Sequence, residues 1–382
     1  MLKPEFRLRI AVLLALCCFL SIGSAEELST RLTDAAFWKL VTDFSEPSGR
    51  FPSDNFASNE LAIQKILPDL VRGRKAAGAY LGVGPEQNFT YIVALKPKIS
   101  FIIDIRRQNM VEHLMYKALF EMSADRADFL SRLFSRPRPA DIGRSLTVTA
   151  LFEAYREVEP DQKLFEDTYA AVLNHLTKDH GFALTQDDQN VLGYILRAFY
   201  IGGPNLGYAG PPPGRPTAPR ILPTFEELMI DTDQDGRQQS FLATEENFLT
   251  LQEIEKNNLI VPIVGDFAGP TAFHSVGDYL KKHSAVVSAL YTSNVEQYLF
   301  MSEDWKGFYK NVSTLPLDAK SVFIRPLINT GDIRVGPGPY SASPQFRTGF
   351  HFDTLIFPIK NLLTAFEAGS IQTYYDAIAI RN

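Results

Sequence analysis

Residues 78–109 read GAYLGVGPEQNFTYIVALKPKISFIIDIRRQN. A short apolar run over 79–83 meets glycines at Gly82 and Gly84. The chain is then helix-compatible from 88 to 95, and a second apolar run, 99–103, ends on Asp104. Strand, glycine turn, helix, and a strand ending in an acid about 20 residues after the glycines form the opening of a nucleotide-binding α/β unit. Glycine lets backbone approach a ligand, and the acid accepts ribose hydroxyls. Gly82-x-Gly84 is followed by Pro85 and lacks the third glycine of a full dinucleotide fingerprint. The reading therefore rests on placement: in open α/β sheets ligands sit at the carboxyl ends of strands, where the turn and Asp104 both fall. Two plainer assignments stay open. The glycines can make a strand-to-helix turn in another α/β fold, and Asp104, Arg106 and Arg107 can form an exposed ion-pair cluster of little energetic weight.

Outward from this unit, the chain has 382 residues, 45% apolar and 21% charged, an ordinary globular composition with length for one large or two modest domains. The first 25 residues read as a secretory signal peptide. Lys3, Arg7 and Arg9 make a basic start, residues 10–22 an apolar core, and Gly23-Ser24-Ala25 a small-residue cleavage site. That places the mature chain in a periplasm or outside the cell. The apolar run is shorter than the roughly 20 residues that span a bilayer, so no membrane partner is expected after cleavage. Cys17 and Cys18 both lie in this segment, which leaves the mature chain without thiol chemistry. Removing Lys3, Arg7, Arg9 and Glu5 from 38 basic and 44 acidic residues leaves 35 and 43, a net charge of −8. No clustered basic excess exists to hold nucleic acid.

Before the central unit, apolar spacing predicts helices over 32–44, capped by Thr33 or Asp34, and over 58–70, with Ser58 as cap and Pro68 disturbing the end. After it, 110–122 is helical. The next strand-like run appears only at 259–264, so a helical and proline-rich insertion is expected over about 123–247, with helices at 164–176 and 191–199, the latter after a Thr185/Asp188 capping pattern. Residues 202–223 hold seven prolines and five glycines and read as an extended surface loop. Asp231-Thr232-Asp233-Gln234-Asp235-Gly236 starts like a calcium loop, but Leu242 stands where the bidentate glutamate belongs, so an acidic turn is expected. Helix over 248–257, strand over 259–264 ending at Gly265-Asp266, helix over 271–283, strand over 285–290, helix over 294–309 and strand over 321–328 follow. The tail carries a loop over 336–344, an apolar segment over 352–359 and a helix over 361–368. The fold class is α/β, Rossmann-like, with a mostly parallel sheet, helices on both faces and a helical insertion.

The strings GVGPEQN with Asp104, then Gly265-Asp266-Phe267, then 285–290, resemble the successive strand ends of class I methyltransferases that bind S-adenosylmethionine. YLGVGPEQNFTYI, DIRRQN, FLATEENF and YTSNVEQYL resemble a poorly characterised bacterial family of that architecture. The resemblance implies that the turn formed by Gly82, Gly84, Glu86 and Gln87 faces the methionine part of the cofactor. It also implies Asp104, with Arg106 beside it, at the ribose hydroxyls and Asp266 at the adenine amino group. Tyr291, Asn294 and Glu296 would stand where methyltransferases place substrate contacts. Pro85-Glu86 and the large insertion depart from that family's pattern.

No GxSxG elbow, HExxH helix or P-loop occurs, and the six histidines are scattered, so no metal is assigned. Glu86, as a buried base or a helix-start carboxylate, and His113, nine residues after Asp104, are the candidates for proton transfer, with a hydrogen-bonded structural histidine the plainer reading of His113. Two function classes follow. One is an exported binding or structural protein retaining a cleft for a small polar or nucleotide-like ligand, favoured because S-adenosylmethionine is a cytosolic cofactor. The other is a small-molecule enzyme of methyltransferase type using the same cleft.

Overall fold

The computed structural model describes residues 26–72, 78–140, 142–210, 222–329 and 351–380. The expected signal peptide, the Pro211-Pro212-Pro213 part of the loop and the 336–344 loop lie outside them.

Six strands form one sheet: β1 (Ala79–Gly82), β2 (Ile99–Asp104), β3 (Ile260–Val264), β4 (Val287–Tyr291), β5 (Val322–Asn329) and β6 (His351–Pro358). Their spatial order is β3-β2-β1-β4-β5-β6. The first five run parallel and β6 returns antiparallel to β5. Every residue of β1, β2 and β3 is buried, as befits parallel strands covered on both faces. Register sets Gly82 opposite Ile102 and Asp104 opposite Val264, which brings the strand ends together along one edge. Pro262 is tolerated because β3 is an edge strand.

The helices explain the faces. Thr33 caps α1 (Asp34–Asp43) through its hydroxyl. Just past α1, Glu46 N donates to Val264 O at 2.7 Å and Ser45 Oγ accepts from Val264 N at 3.0 Å. The N-terminal segment thereby covers the exposed end of β3, an edge that would otherwise invite pairing. The expected helix over 58–70 shrinks to a 3₁₀ turn, Gln64–Ile66, and α2 (Leu67–Val71). Pro68 sits in the first turn of α2, where its missing N–H costs nothing. Residues 58–63 are instead irregular, with Ala62 at φ 72°.

After β1 comes α3 (Gln87–Leu95), and after β2 comes α4 (Arg107–Met122). Between β2 and β3 stand α5 (Arg126–Phe134), α6 (Val148–Arg156), α7 (Gln162–Asn174), α8 (Gln186–Gly202), α9 (Phe225–Ile230) and α10 (Glu245–Lys256). The capping box on α8 forms as read, Thr185 and Asp188 each satisfying the other's backbone. The insertion shares the main core. Phe120 stacks on Phe129 at 4.5 Å, and both meet Phe241 and Phe248, with Phe89 of α3 edge-on to Phe120 and Phe241. Aromatic pairs of this kind add about 0.5–1.5 kcal/mol each beyond area burial.

The chain closes with α11 (Ala272–Lys282), α12 (Val295–Met301), α13 (Trp305–Ser313), α14 (Ile359–Glu367) and α15 (Tyr374–Ala379). One helix was expected over 294–309. The structure breaks it at Glu303, φ 65°, because Trp305 must turn inward to stack on Phe300 at 4.7 Å. No helix among the described residues is long and apolar enough to cross a membrane.

Candidate functional site

A cleft of about 560 Å³ opens at the carboxyl ends of β1 to β4. Val83, Gly84 and Gln87 line it from the first turn, Asp104 and Arg106 from the second, Asp266 and Phe267 from the third, and Ser293 and Asn294 from the fourth. Phe51, Asn55, Ser58 and Asn59 close it from the N-terminal side, and Tyr208, Tyr298 and Met301 stand at its rim. Three lining residues hold left-handed backbone, Gly84 at φ 78°, Asn55 at 51° and Ser293 at 46°. Such strain in non-glycine residues persists where surrounding structure over-determines it, often at ligand sites.

The glycine turn is held from behind by Asn88. Its Nδ2 lies within 3.0 Å of the carbonyls of Val83, Gly84 and Pro85, and its Oδ1 accepts from Tyr80 Oη at 2.8 Å. A Cβ on Gly82 would fall 2.0 Å from that Oδ1, so Gly82 makes room for Asn88 and does not line the cleft. Asn88 and Asn311 are both buried, the latter donating to the carbonyls of Phe267 and Gly269, so neither of the Asn-x-Ser/Thr sequons, Asn88-Phe89-Thr90 and Asn311-Val312-Ser313, offers a free side chain in the folded chain. His113 Nε2 donates to Gly84 O at 2.9 Å, and burial pushes this imidazole down to about 4. It is a neutral brace under the turn, outside the cleft lining.

Asp104 meets the cleft as half of an ion pair. Arg106 donates its backbone N and Nε to Oδ1 at 2.9 and 3.0 Å and Nη2 to Oδ2 at 2.9 Å. Arg106 Nη1 also reaches Asp54 O at 2.5 Å. The acid expected at ribose hydroxyls thus has most of its lone pairs filled by its own neighbour. Arg107 turns away to Asp188, leaving the pair rather than a three-residue cluster. Asp266 is freer. Its Oδ1 accepts from Ala268 N at 2.9 Å, and Glu46 fixes its turn by accepting from the backbone N–H groups of Asp266, Thr271 and Ala272.

The substrate candidates separate. Asn294 lines the cleft, whereas Tyr291 lies buried beneath it and Glu296 is buried beside Arg325, both outside the lining. Tyr291 Oη donates to Glu60 Oε2 at 2.6 Å and accepts from Gln87 Nε2 at 3.3 Å; Ser293 Oγ donates to Glu60 Oε1. Burial pushes Glu60 up to about 7, against those two hydrogen bonds. A cleft-facing hydroxyl therefore leans on a carboxylate that titrates near neutrality. Glu86 is fully buried, accepts from Ser58 N at 3.1 Å, and is likewise pushed up to about 7 by burial. It does not reach the cleft wall. Burial and then the charge of Glu86 raise Glu112 well above the usual carboxylate range, and both its oxygens lack partners.

Asn55, Asn59, Glu60 and Ser293 had no place in the sequence-level site. Glu60 and Ser293 stand 233 residues apart, and the helical reading of 58–70 hid the first of them. Asp231 and its neighbours do not form a calcium cage either: Asp233 folds into an Asx turn, accepting from Asp235 N, Arg237 N and Arg237 Nε.

A family model described as a domain of unknown function (DUF7790) matches residues 55–196 and 216–354, which include the cleft residues from Asn55 onward except Tyr208. The chain belongs to this family. No curated protein matches it. The DUF7790 match spans the strand ends and most of the helical insertion together, so the cleft and the helices behind it belong to one family unit.

Proposed function

We propose that this DUF7790 protein is an exported binding protein whose methyltransferase-like, Rossmann-like sheet presents a cleft for a small nucleoside-type ligand. The observation that carries the reading is the position of the cleft. It lies where β1 has β2 on one side and β4 on the other, the point at which the strand order reverses and open α/β sheets bind ligands. Phe51, Tyr208, Tyr298 and Phe267 put aromatic rings in the lining, Asp266 offers an acceptor for an exocyclic amine, and Asn59, Gln87 and Asn294 offer polar contacts. The residues fit S-adenosylmethionine only in part, since Asp104 is already engaged by Arg106. That favours retained nucleoside binding over methyl transfer. Thermal denaturation with adenosine, S-adenosylhomocysteine and S-adenosylmethionine tests it. At 100 times its Kd a ligand adds about 2.7 kcal/mol of stability, and a melting temperature that none of the three moves sinks the reading.

Export rests on the n-region and apolar core of the first 25 residues. Intact mass of native material should give a chain beginning near Glu26, and a full-length cytosolic product contradicts it.

A second reading, a small-molecule enzyme in the same cleft, is favoured by Ser293 and Glu60, a strained hydroxyl bonded to a carboxylate that titrates near 7. Recovery of unchanged S-adenosylmethionine after incubation supports binding alone. Its conversion by the wild type but not by Ser293→Ala supports catalysis.

A further inference from the structure

We infer that Glu121, His175 and His180 form a binding site for a divalent transition-metal ion of the zinc class. Sequence spacing argues against the site and backbone geometry overrides it. In an α-helix, residues five apart point about 140° away from each other, which would part His175 from His180. The turn His175–Asp179 is instead π-helical, closed by His180 N donating to His175 O at 3.1 Å. An i→i+5 closure returns both rings to one side, and their centroids lie 4.7 Å apart.

His175 Nε2 and His180 Nε2 lie 2.7 and 2.6 Å from one atom, Glu121 Oε2, on the last turn of α4. The other nitrogen of each ring meets a carboxylate, His175 Nδ1 at 2.8 Å from Asp179 and His180 Nδ1 at 2.8 Å from Asp34. An ionised carboxylate only accepts, so each Nδ1 carries a proton. Glu121 Oε2 likewise only accepts, so a proton sits on each Nε2; a cation that displaces those two protons meets two Nε2 lone pairs and one oxygen lone pair converging on one place. A single cation satisfies all three, and carboxylates behind the ring nitrogens are the arrangement that orients metal-binding histidines.

Charge agrees. Asp34, Glu121 and Asp179 face one ammonium, Lys117, which donates to Glu121 Oε1 at 2.6 Å. The surplus is two negative charges, which a divalent ion cancels. Two imidazoles and a carboxylate suit zinc, with cobalt and nickel as close substitutes, and three protein ligands leave a position for water. One ligand atom from each residue lies within 4.8 Å of the others. Around zinc, with bonds of about 2.0–2.1 Å, ligand atoms sit roughly 3.3 Å apart, so the rings need only a small outward shift. Both histidines are partly exposed, with side chains 21% and 13% accessible, which gives an ion entry. The site lies roughly 20 Å along α4 from the cleft. Its role is to clamp the end of α4 to the helical insertion, independently of the ligand proposed above.

The test uses untagged full chain stripped with chelator and titrated with zinc and cobalt(II). We expect uptake of one equivalent, the visible absorption of four-coordinate cobalt(II), and a higher melting temperature in zinc. His175→Ala and His180→Ala should abolish the stoichiometric site. Asp34→Asn keeps all three ligands and should weaken zinc about 10- to 100-fold. If the alanine variants do not fold, the cobalt spectrum of the wild type and the Asp34→Asn affinity still decide. No uptake by the wild type, or uptake unchanged in Asp34→Asn, overturns the inference and leaves two imidazolium rings held by Glu121.

Discussion

Replacing Arg325 with methionine should cost the protein about 3–5 kcal/mol of stability, the penalty for leaving a buried charge without its partner. Arg325 on β5 is fully buried, as is Glu296 on α12. Its Nη2 donates to Glu296 Oε1 at 2.6 Å, its Nε pairs with the other carboxylate oxygen, and its Nη1 donates to Ala377 O at 3.0 Å. The guanidinium also lies 4.4 Å over the Phe357 ring. Tyr309 Oη, donating to Glu296 Oε1 at 2.8 Å, cannot replace a positive charge. The double change Arg325→Met with Glu296→Leu should recover most of the loss, because an apolar pair of similar volume carries no desolvation cost. Urea denaturation of the three proteins decides the matter. A single variant within about 1 kcal/mol of wild type would mean that the pair is hydrated and does not tie β5 to α12 and α15.

The second large effect is pH dependence traced to Glu60. Burial raises its carboxyl from the ordinary 4.5 to about 7. Between those values the folded chain keeps a proton that the unfolded chain has released, so the stabilising contribution is complete below about pH 4.5 and is lost as pH rises through 7. The shift corresponds to ~3 kcal/mol. Glu86 adds a loss of the same sign, while His113, pushed down to about 4, adds the opposite: stability that disappears as pH falls from 6.5 toward 4. Comparison with Glu60→Gln isolates the one group, since glutamine mimics the protonated acid. The wild type should lose ~3 kcal/mol more than Glu60→Gln between pH 4.5 and 8. Parallel curves would contradict the placement of Glu60 in a dry pocket under Ser293.

The sheet was legible where physics is local. The runs read at 79–83, 99–103, 259–264 and 285–290 are apolar because parallel strands are buried on both faces, and Thr185 with Asp188 announced a helix start. Thr224 with Glu227 and Thr373 with Asp376 make the same capping box at the starts of α9 and α15. The site was legible as a place but less so as a set of side chains. Gly84, Gln87, Asp104, Arg106, Asp266 and Asn294 do line the cleft; Gly82, Glu86, His113, Tyr291 and Glu296 support it from behind or lie beyond it. Strand-end position tells which residues are near a cleft, whereas the direction of each side chain is set by partners far off in sequence. Arg325 claims Glu296 from 29 residues away, and Glu60 claims Tyr291 from 231. The two histidines looked scattered because only a π-helical turn puts them together.

The central claim, that the strand-end cleft holds a nucleoside-type ligand, is met most directly by calorimetric titration of wild type and Asn294→Trp with S-adenosylhomocysteine and adenosine. Asn294 lines the cleft on the turn after β4 and is only half-buried, so an indole there fills the cleft without disturbing the core. The account expects saturable one-to-one binding by the wild type, weakened at least about 10-fold, or 1.4 kcal/mol, in the variant. Absence of heat with either ligand, or equal affinity in both proteins, would contradict it.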